Sequence, residues 1–447
     1  MMIQPMGSPE PRPAIVRSQP APAPSTTPQL PATEPELTDL SGVSSLAAIG
    51  PRRSSAGMAD WKDGYENQLG ISTRALARRT AALKEGGAEM LYRMYPLLFQ
   101  QDLAGPYQQL AQLLPQKGPE IALAGDCHLG NFGSLRDQNR DLVWTLNDYD
   151  QVGRGRPESD LCRAGASLLL LCHRRGWSKK VAGQLIEGLT HQYSKHINQY
   201  CQQKPDSPLG IRKSEAEGPV HSLLKKAERH TQEELLAKWT EPDSQRNLKF
   251  KLGPEMHALD ETQDGRLHQL LQEIRLPATV KLLDRCCRWD AGGSSLGLER
   301  YYLLAQKEGD SLPIVLELKQ VLPCALACSD ADPKKVDAKL LQDGFRWLAA
   351  PRDNWQRVVR GDNGVYLLRE RQRARDSLKS DQLSSEEACQ LAKQVGKVLA
   401  QAHASGSDPA QVRDWIDGRE DKLAANLLKF SSSYAEQMEQ DYASLFN

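Results

Sequence analysis

Gly125-Asp126-Cys127-His128-Leu129-Gly130-Asn131-Phe132-Gly133, followed shortly by Asn147-Asp148-Tyr149-Asp150, is the densest run of chemically capable side chains in this chain of 447 residues. An Asp and an Asn stand five residues apart in a glycine-bounded loop. The strand-like run Leu142-Val143-Trp144-Thr145-Leu146 separates that loop from the second acidic group. Loop, strand, acidic loop is a common way to build a metal-phosphate site, because Mg²⁺ is a hard cation that takes oxygen ligands from Asp and Asn. Upstream, Ile121-Ala122-Leu123-Ala124 reads as a short buried strand that delivers the loop.

Working outward, Gly153-Arg154-Gly155-Arg156-Pro157 reads as a turn, and Asp160 opens an apolar helix carrying Leu161, Ala164, Leu168, Leu169 and Leu171. Residues 179–202 and 222–238 read as helices, with polar connections at 206–218 and 241–253, so 155–280 is expected to be mainly helical. On the N-terminal side, Ser72 is placed to cap a helix through Leu76, Leu83, Met90 and Leu91. The aromatic and apolar segment from Leu91 to Phe99 reads as core, with Arg93 at its rim. Residues 107–114 suggest a short amphipathic helix.

The character changes near 285. Trp289 to Gly297 is a glycine/serine turn. Leu298 to Ala305 and Pro313 to Lys319 then read as the two strands of a hairpin. A helix over 336–349, strands over 357–360 and 365–369 around Gly361-Asp362-Asn363-Gly364, an amphipathic helix over 385–404 ending at His403, and a helical C-terminus complete the pattern.

Lys+Arg and Asp+Glu are both 57, which argues against a protein devoted to the nucleic-acid backbone. No apolar run approaches the roughly 20 residues of a membrane span, and no N-terminal apolar core suggests a signal peptide. Nine scattered cysteines without a CxxC fit free thiols in a reducing cytoplasm. A metal held by Cys324 and Cys328 would need a second pair that the sequence lacks. Ten of the 27 prolines fall in the first 35 residues, so residues 1–55 read as an extended Pro-rich tail.

Two constellations therefore stand in different halves of the chain. One is Asp126, Asn131, Asp148 and Asp150; the other is the glycine-rich turn (Gly292, Ser294, Ser295, Gly297) with Lys319. Phosphoryl transfer uses this parts list: a carboxylate for the attacking hydroxyl, Asp and Asn oxygens for Mg²⁺, and a backbone loop and a lysine for the phosphates.

The spacing resembles that of kinase-like phosphotransferases of the aminoglycoside and choline type, whose catalytic loop reads H-G-D-x-H-x-x-N and whose metal Asp precedes G-x-P-x-x-D-L. Asp148 is followed by Gly155, Pro157 and Asp160-Leu161 at seven, nine and twelve residues. The resemblance implies Asp126 as catalytic base, Asn131 and Asp148 as Mg²⁺ ligands and Asp160 as a carboxylate holding the loop. Ala124 replaces the leading histidine. The chain also resembles, over nearly all of residues 84–446, the bacterial domain-of-unknown-function family 2252. The residues that carry this are Tyr92-Arg93, Phe99, Asp102-Leu103, the loop and acidic motifs, Arg163, Gly292 to Gly297, Leu318-Lys319, Ala402-His403-Ala404, and the closing Phe430, Tyr434, Gln437 and Asp441-Tyr442. Met94, Ser294 and Gln320 depart from its pattern.

Because the lysine hairpin follows the loop instead of preceding it, the expected fold is α+β: a circularly permuted, kinase-like two-lobe structure. Its expected parts are a helical lobe over 56–283, a small antiparallel β lobe over 284–380 and C-terminal helices over 381–447. The expected activity is an ATP- and Mg²⁺-dependent phosphotransferase acting on a hydroxyl of a small molecule or protein, with no nucleic-acid or membrane partner. The alternatives are a pseudokinase binding module and, less well supported, a metallophosphoesterase, whose further histidine motifs are missing. Several side chains stay open. Asp150 is a second metal ligand or a partner of Arg154 or Arg156. His128 is either catalytic or a hydrogen-bonding part of the loop. Arg93 and Arg163 are either phosphate or substrate contacts or, as expected first, ion-paired within the fold, and Asp343 is a candidate partner for Lys319.

Overall fold

A computed structural model describes residues 54–137, 139–203, 209–290, 292–327, 336–348 and 353–446; the Pro-rich tail and Cys328 lie outside the described residues. The chain begins with α1 (Met58–Leu69) and α2 (Thr73–Met94). Ser72 caps α2, its hydroxyl accepting from Ala75 N, as Ser does when it satisfies a free first-turn N–H. Helix α2 is kinked at Gly87. Pro96 opens α3 (Pro96–Ala104), and α4 (Gln108–Ala111) is a single turn.

A cluster of short strands follows: β1 (Ile121–Leu123), β2 (Phe132–Arg136), β3 (Leu142–Leu146) and β4 (Gly153–Gly155). β4 is where the sequence suggested a turn. It pairs antiparallel with β1, Ala122 opposite Arg154, because its glycines leave room for Leu123, Cys324 and Leu326. Next come α5 (Pro157–Arg174), which starts on its proline three residues before Asp160, and α6 (Lys179–Gln202). The expected helix over 222–238 is two: after β5 (Ile211–Arg212) come α7 (Gly218–Ala227) and α8 (Gln232–Trp239). Thr231 and Glu234 form a capping box that restarts the helix. The polar stretch after 240 is a hairpin of β6 (Thr240–Pro242) and β7 (Leu248–Phe250), followed by α9 (Glu261–Ile274).

A five-stranded antiparallel sheet is built from β8 (Val280–Cys287), β9 (Arg300–Lys307), β10 (Ile314–Gln320), then, beyond α10 (Ala338–Trp347), β11 (Arg357–Gly361) and β12 (Gly364–Glu370). Its strand order is β11-β12-β10-β9-β8. β8 is not foreshadowed in the sequence, and it crosses the 283/284 boundary. Its charged Lys281, Asp284 and Arg285 and a bulge between Leu282 and Asp284 disguise the two-residue period. β13 (Asp376–Ser377) joins β2, β3 and β5 in a second antiparallel sheet. The chain closes with α11 (Ser385–Ser405), α12 (Pro409–Ile416) and α13 (Glu420–Phe446).

The main core packs α5, α6, α11 and α13 together with α2 and α3. Tyr92, Phe99, Tyr107, Phe430 and Tyr434 form a cluster of stacked and edge-on rings, and the Tyr434 hydroxyl donates to Asp102 at 2.8 Å. α6 and α11 touch backbone to backbone: a Cβ at Gly396 would lie 2.2 Å from Leu189 O. Helix propensity alone would make Gly396→Ala stabilising by about 1 kcal/mol. The contact reverses the sign, and urea denaturation should show a loss of about 1–3 kcal/mol. A gain in stability would show that the two helices separate without cost.

Candidate functional site

The loop after β1 is shaped by one fully buried carboxylate. Asp160, in the first turn of α5, accepts Ala124 N–H at 2.8 Å and Gly125 N–H at 2.9 Å. His403, at the end of α11, lies 3.2 Å from the same carboxylate through Nε2, and its Nδ1 is 2.7 Å from the Tyr193 hydroxyl on α6. Gly125 has φ +81°, and a Cβ there would sit 1.9 Å from Gln151 O, so no other residue fits.

This loop presents Asp126, His128 and Asn131. Asp126 Oδ1 accepts from Arg163 Nε at 2.8 Å. Arg163 is itself held by Tyr92 O and stacked over the Tyr92 ring. Asp126 Oδ2 faces Asn131 Nδ2 at 3.2 Å and His128 Nε2 at 3.5 Å. Asn131 Nδ2 also donates to Asp126 O, which leaves Oδ1 as the free end of the amide. Burial pushes the Asp126 carboxyl up against the opposing pull of Arg163. Burial, with Arg93 and Arg163 nearby, holds His128 well below the usual histidine range, so it is neutral at neutral pH.

The second acidic group meets the lysine. Lys319 Nζ donates to Asp148 Oδ2 at 2.8 Å and to Asp150 Oδ2 at 2.7 Å. Burial would raise the Asp148 carboxyl, but Lys319 and Arg369 bring it down to about 2. Asp150 is pushed up, by burial and by the Asp148 charge. Asp148 Oδ1 is buried without a hydrogen-bond partner, 3.7 Å from Arg369.

Strand alternation explains why the lysine is there. Glu317 and Lys319 share one face of β10, while Leu316 and Leu318 enter the apolar cluster on the other. Across the sheet Arg369 on β12 is opposite Glu317, and Arg300 on β9 is opposite Lys319. Glu317 is fully buried and accepts from Arg300 at 2.7 Å, Arg369 at 2.5 Å and the Tyr302 hydroxyl at 3.0 Å. The glycine-rich turn approaches from the side. Ser295 Oγ accepts from Arg300 at 3.1 Å. From α2, Arg79 donates to Ser294 O and Leu296 O and is anchored on Glu66 at 2.7 Å.

Asp126, His128, Asn131, Asp148, Asp150, Gly292, Ser294 and Ser295 consequently line one cavity of about 370 Å³, with Lys319 behind its acidic wall. Gly297 does not reach it; it packs against Ala75 and Ile71 and borders a separate cleft. A larger cleft of about 1040 Å³ beside α3, α4 and β4 contains none of the loop carboxylates, so size alone does not locate the chemistry.

Three further expectations are corrected. Asp343 pairs with Lys339 and Arg346, not with Lys319, because α10 turns it toward its own helix neighbours. Arg154 pairs with Glu120, leaving Asp150 to Lys319. Arg163 is ion-paired as expected, but Arg93 has no ion pair among the described residues and lines the cavity instead. Arg300, Glu317, Arg369 and Arg375 were not foreseen. The one available signal was Glu317, a carboxylate two residues before Lys319 in an otherwise apolar strand.

Among the described residues no group of three His, Cys, Asp or Glu could cage a metal by itself. Mg²⁺ does not need one, since it commonly uses one or two carboxylates plus substrate phosphates. Asp148 Oδ1, buried without a hydrogen-bond partner, and the amide oxygen of Asn131 are hard oxygen donors on residues that line the cavity.

Glu317→Gln should cost about 3–5 kcal/mol at pH 7, because it strands two buried guanidinium groups. Burial opposes ionisation of Glu317, but Arg369 and Arg300 hold its carboxyl well below the usual glutamate range. Its stabilisation is therefore complete above the unfolded pKa and lost as pH falls. The gap between wild type and variant, followed by denaturant unfolding, should stay constant from pH 8 to 6 and narrow only below about 4.5. A gap that already closes near pH 7 would contradict this charge assignment.

Among the described residues no helix is long and apolar enough to cross a membrane. No curated protein and no solved structure matches the chain. Residues 88–447 match the family described as "Uncharacterized protein conserved in bacteria (DUF2252)", and the chain belongs to that family.

Proposed function

We propose that the cavity is a phosphoryl-transfer site that takes ATP with Mg²⁺ and passes a phosphoryl group to a hydroxyl. The observation that carries this reading is the pair of contacts from Lys319 to Asp148 and Asp150, 2.8 and 2.7 Å long between groups about 170 residues apart. They bring the two halves of a phosphotransferase parts list to one place.

The arrangement also supports a kinase-like, circularly permuted scaffold. The glycine-rich turn joins β8 to β9, the lysine lies on the next strand β10, and a helix and two more strands complete that sheet. α11 then carries His403 in its last turn, where it meets Asp160 behind the catalytic loop. In an unpermuted chain such a helix would lead directly into that loop.

In this reading Asp126 orients the attacking hydroxyl and accepts its proton, its remaining oxygen held between Asn131 and His128. Burial raises its carboxyl above the ordinary aspartate value, which makes it a stronger proton acceptor. Neutral His128 shapes the loop without adding a competing charge. Asp148 and Asn131 would hold Mg²⁺, which supplies charge neutralisation for the phosphates. Backbone N–H groups of the turn at Gly292 to Ser295 would cover the phosphates, their path fixed by Arg79. A binding-only module is the second reading. It is favoured by the ion pair between Asp126 Oδ1 and Arg163, which diverts half of that carboxylate from proton transfer.

Mg·ATP should raise the melting temperature of the wild type, and Asp148→Asn should remove the shift. Asp126→Asn should keep the shift but lose phosphoryl transfer to a hydroxyl-substrate panel by roughly 10²–10⁴-fold. Absence of any shift in the wild type would end the nucleotide reading. Binding without turnover in the wild type would leave the binding module.

A further inference from the structure

The cavity has more positive charge than its own carboxylates balance. Of the four aspartates on its wall, Asp126 is paired with Arg163, Asp148 and Asp150 with Lys319, and Asp376 with Lys226. Of its five arginines, Arg300 and Arg369 are tied to Glu317, and Arg371 lies over the Trp239 ring. Arg93, Arg371 and Arg375 are left without an ion-paired carboxylate among the described residues, and of these Arg93 and Arg375 each hold a buried, unpartnered guanidinium nitrogen.

Both are placed to act. The Arg93 guanidinium packs on Gly130 within the catalytic loop, where a Cβ would lie 2.8 Å from its Cζ, and its Nε is buried with no hydrogen-bond partner. Arg375 donates one nitrogen to Asn147 O at 2.7 Å, beside Asp148, while its Nη1 is buried and unpartnered. A charged N–H buried without an acceptor is costly, and its presence twice around one polar cavity calls for a ligand. Lys319 cannot meet that need, because its ammonium is already shared by two carboxylates. Two unbalanced guanidinium groups match a tetrahedral dianion, whose oxygens suit their planar fork of donors.

We infer that Arg93 and Arg375 form a phosphate-binding subsite, and that they, not Lys319, carry the phosphate charge in this cavity. The inference rests on the phosphoryl-transfer reading for the origin of the phosphate: the terminal phosphate of the nucleotide, or a phosphate already on the acceptor.

The test is calorimetric binding of inorganic phosphate to the full chain in EDTA, without nucleotide. The wild type should bind; Arg93→Gln and Arg375→Gln should each weaken binding at least about tenfold, as expected for a lost charge-assisted contact. Arg93→Lys, which keeps the charge without the fork, should retain part of it. Circular dichroism and melting temperature identify any variant that fails to fold, and the lysine variants at both positions then serve in its place. No binding by the wild type, or equal binding by folded variants at both positions, overturns the subsite.

Repeating the titration with saturating Mg²⁺ and β,γ-imido-ATP separates the sources. Competition assigns the subsite to the nucleotide, and additive binding assigns it to a phosphorylated acceptor; both keep the subsite. Because the primary titration needs neither Mg²⁺ nor turnover, the two proposals fail separately. Arginine-dependent phosphate binding without any ATP-dependent transfer removes the transferase and leaves the subsite. Transfer with arginine-independent phosphate binding does the reverse.

Discussion

The carboxylate of Asp160 is the constraint on which the site depends. It is fully buried, so it is tolerable only with several donors around it. Those donors are Ala124 N–H, Gly125 N–H and His403, the last also in contact with Tyr193. One anion thereby joins the loop after β1, α5, α11 and α6. Loss of any one partner would leave a buried charge underserved, so the loop is held in one conformation and Asp126 and Asn131 are presented in one way.

A second set of buried charges adds the sheet to this frame. Glu317, Arg300, Arg369 and Lys319 occupy one face of three adjacent strands, and Lys319 reaches across to Asp148 and Asp150. Desolvation makes each of these groups expensive alone, and the close alternation of signs offsets it. The balance is incomplete on the cavity side. Arg375 is half-buried beside Arg369 and Arg371, and burial first, then their repulsion, push its guanidinium down to about 9.

Much of this was legible in the sequence because it is local. The loop, the acidic group after β3, the lysine strand and the helices over 179–202 and 385–404 carry their own periodicity or turn chemistry. The kinase-like resemblance implied Asp160 as the carboxylate holding the loop, and it does accept the Ala124 and Gly125 N–H groups. What was missed depends on partners remote in sequence. The strand at Gly153–Gly155 exists because β1 lies beside it, and β8 is recognisable only against β9. Arg93 and Arg163 look alike in sequence, yet one meets Asp126 and the other meets no carboxylate. Gly297 shares a turn with Gly292, but faces α2 because the turn reverses between them. Counter-ion assignment is a property of the folded charge set, and composition with 57 charges of each sign says nothing about where the balance fails.

The most direct measurement of the central claim is a crystal structure of the chain with Mn²⁺ and β,γ-imido-ATP, read by the anomalous signal of the metal. A Mn²⁺ peak is expected in coordination with Asp148 and Asn131, with the terminal phosphates between that ion, the turn at Gly292 to Ser295 and the side chains of Arg93 and Arg375. Nucleotide seated elsewhere, such as the cleft bordered by Trp289 and Gly297, with no metal at Asp148, would contradict it.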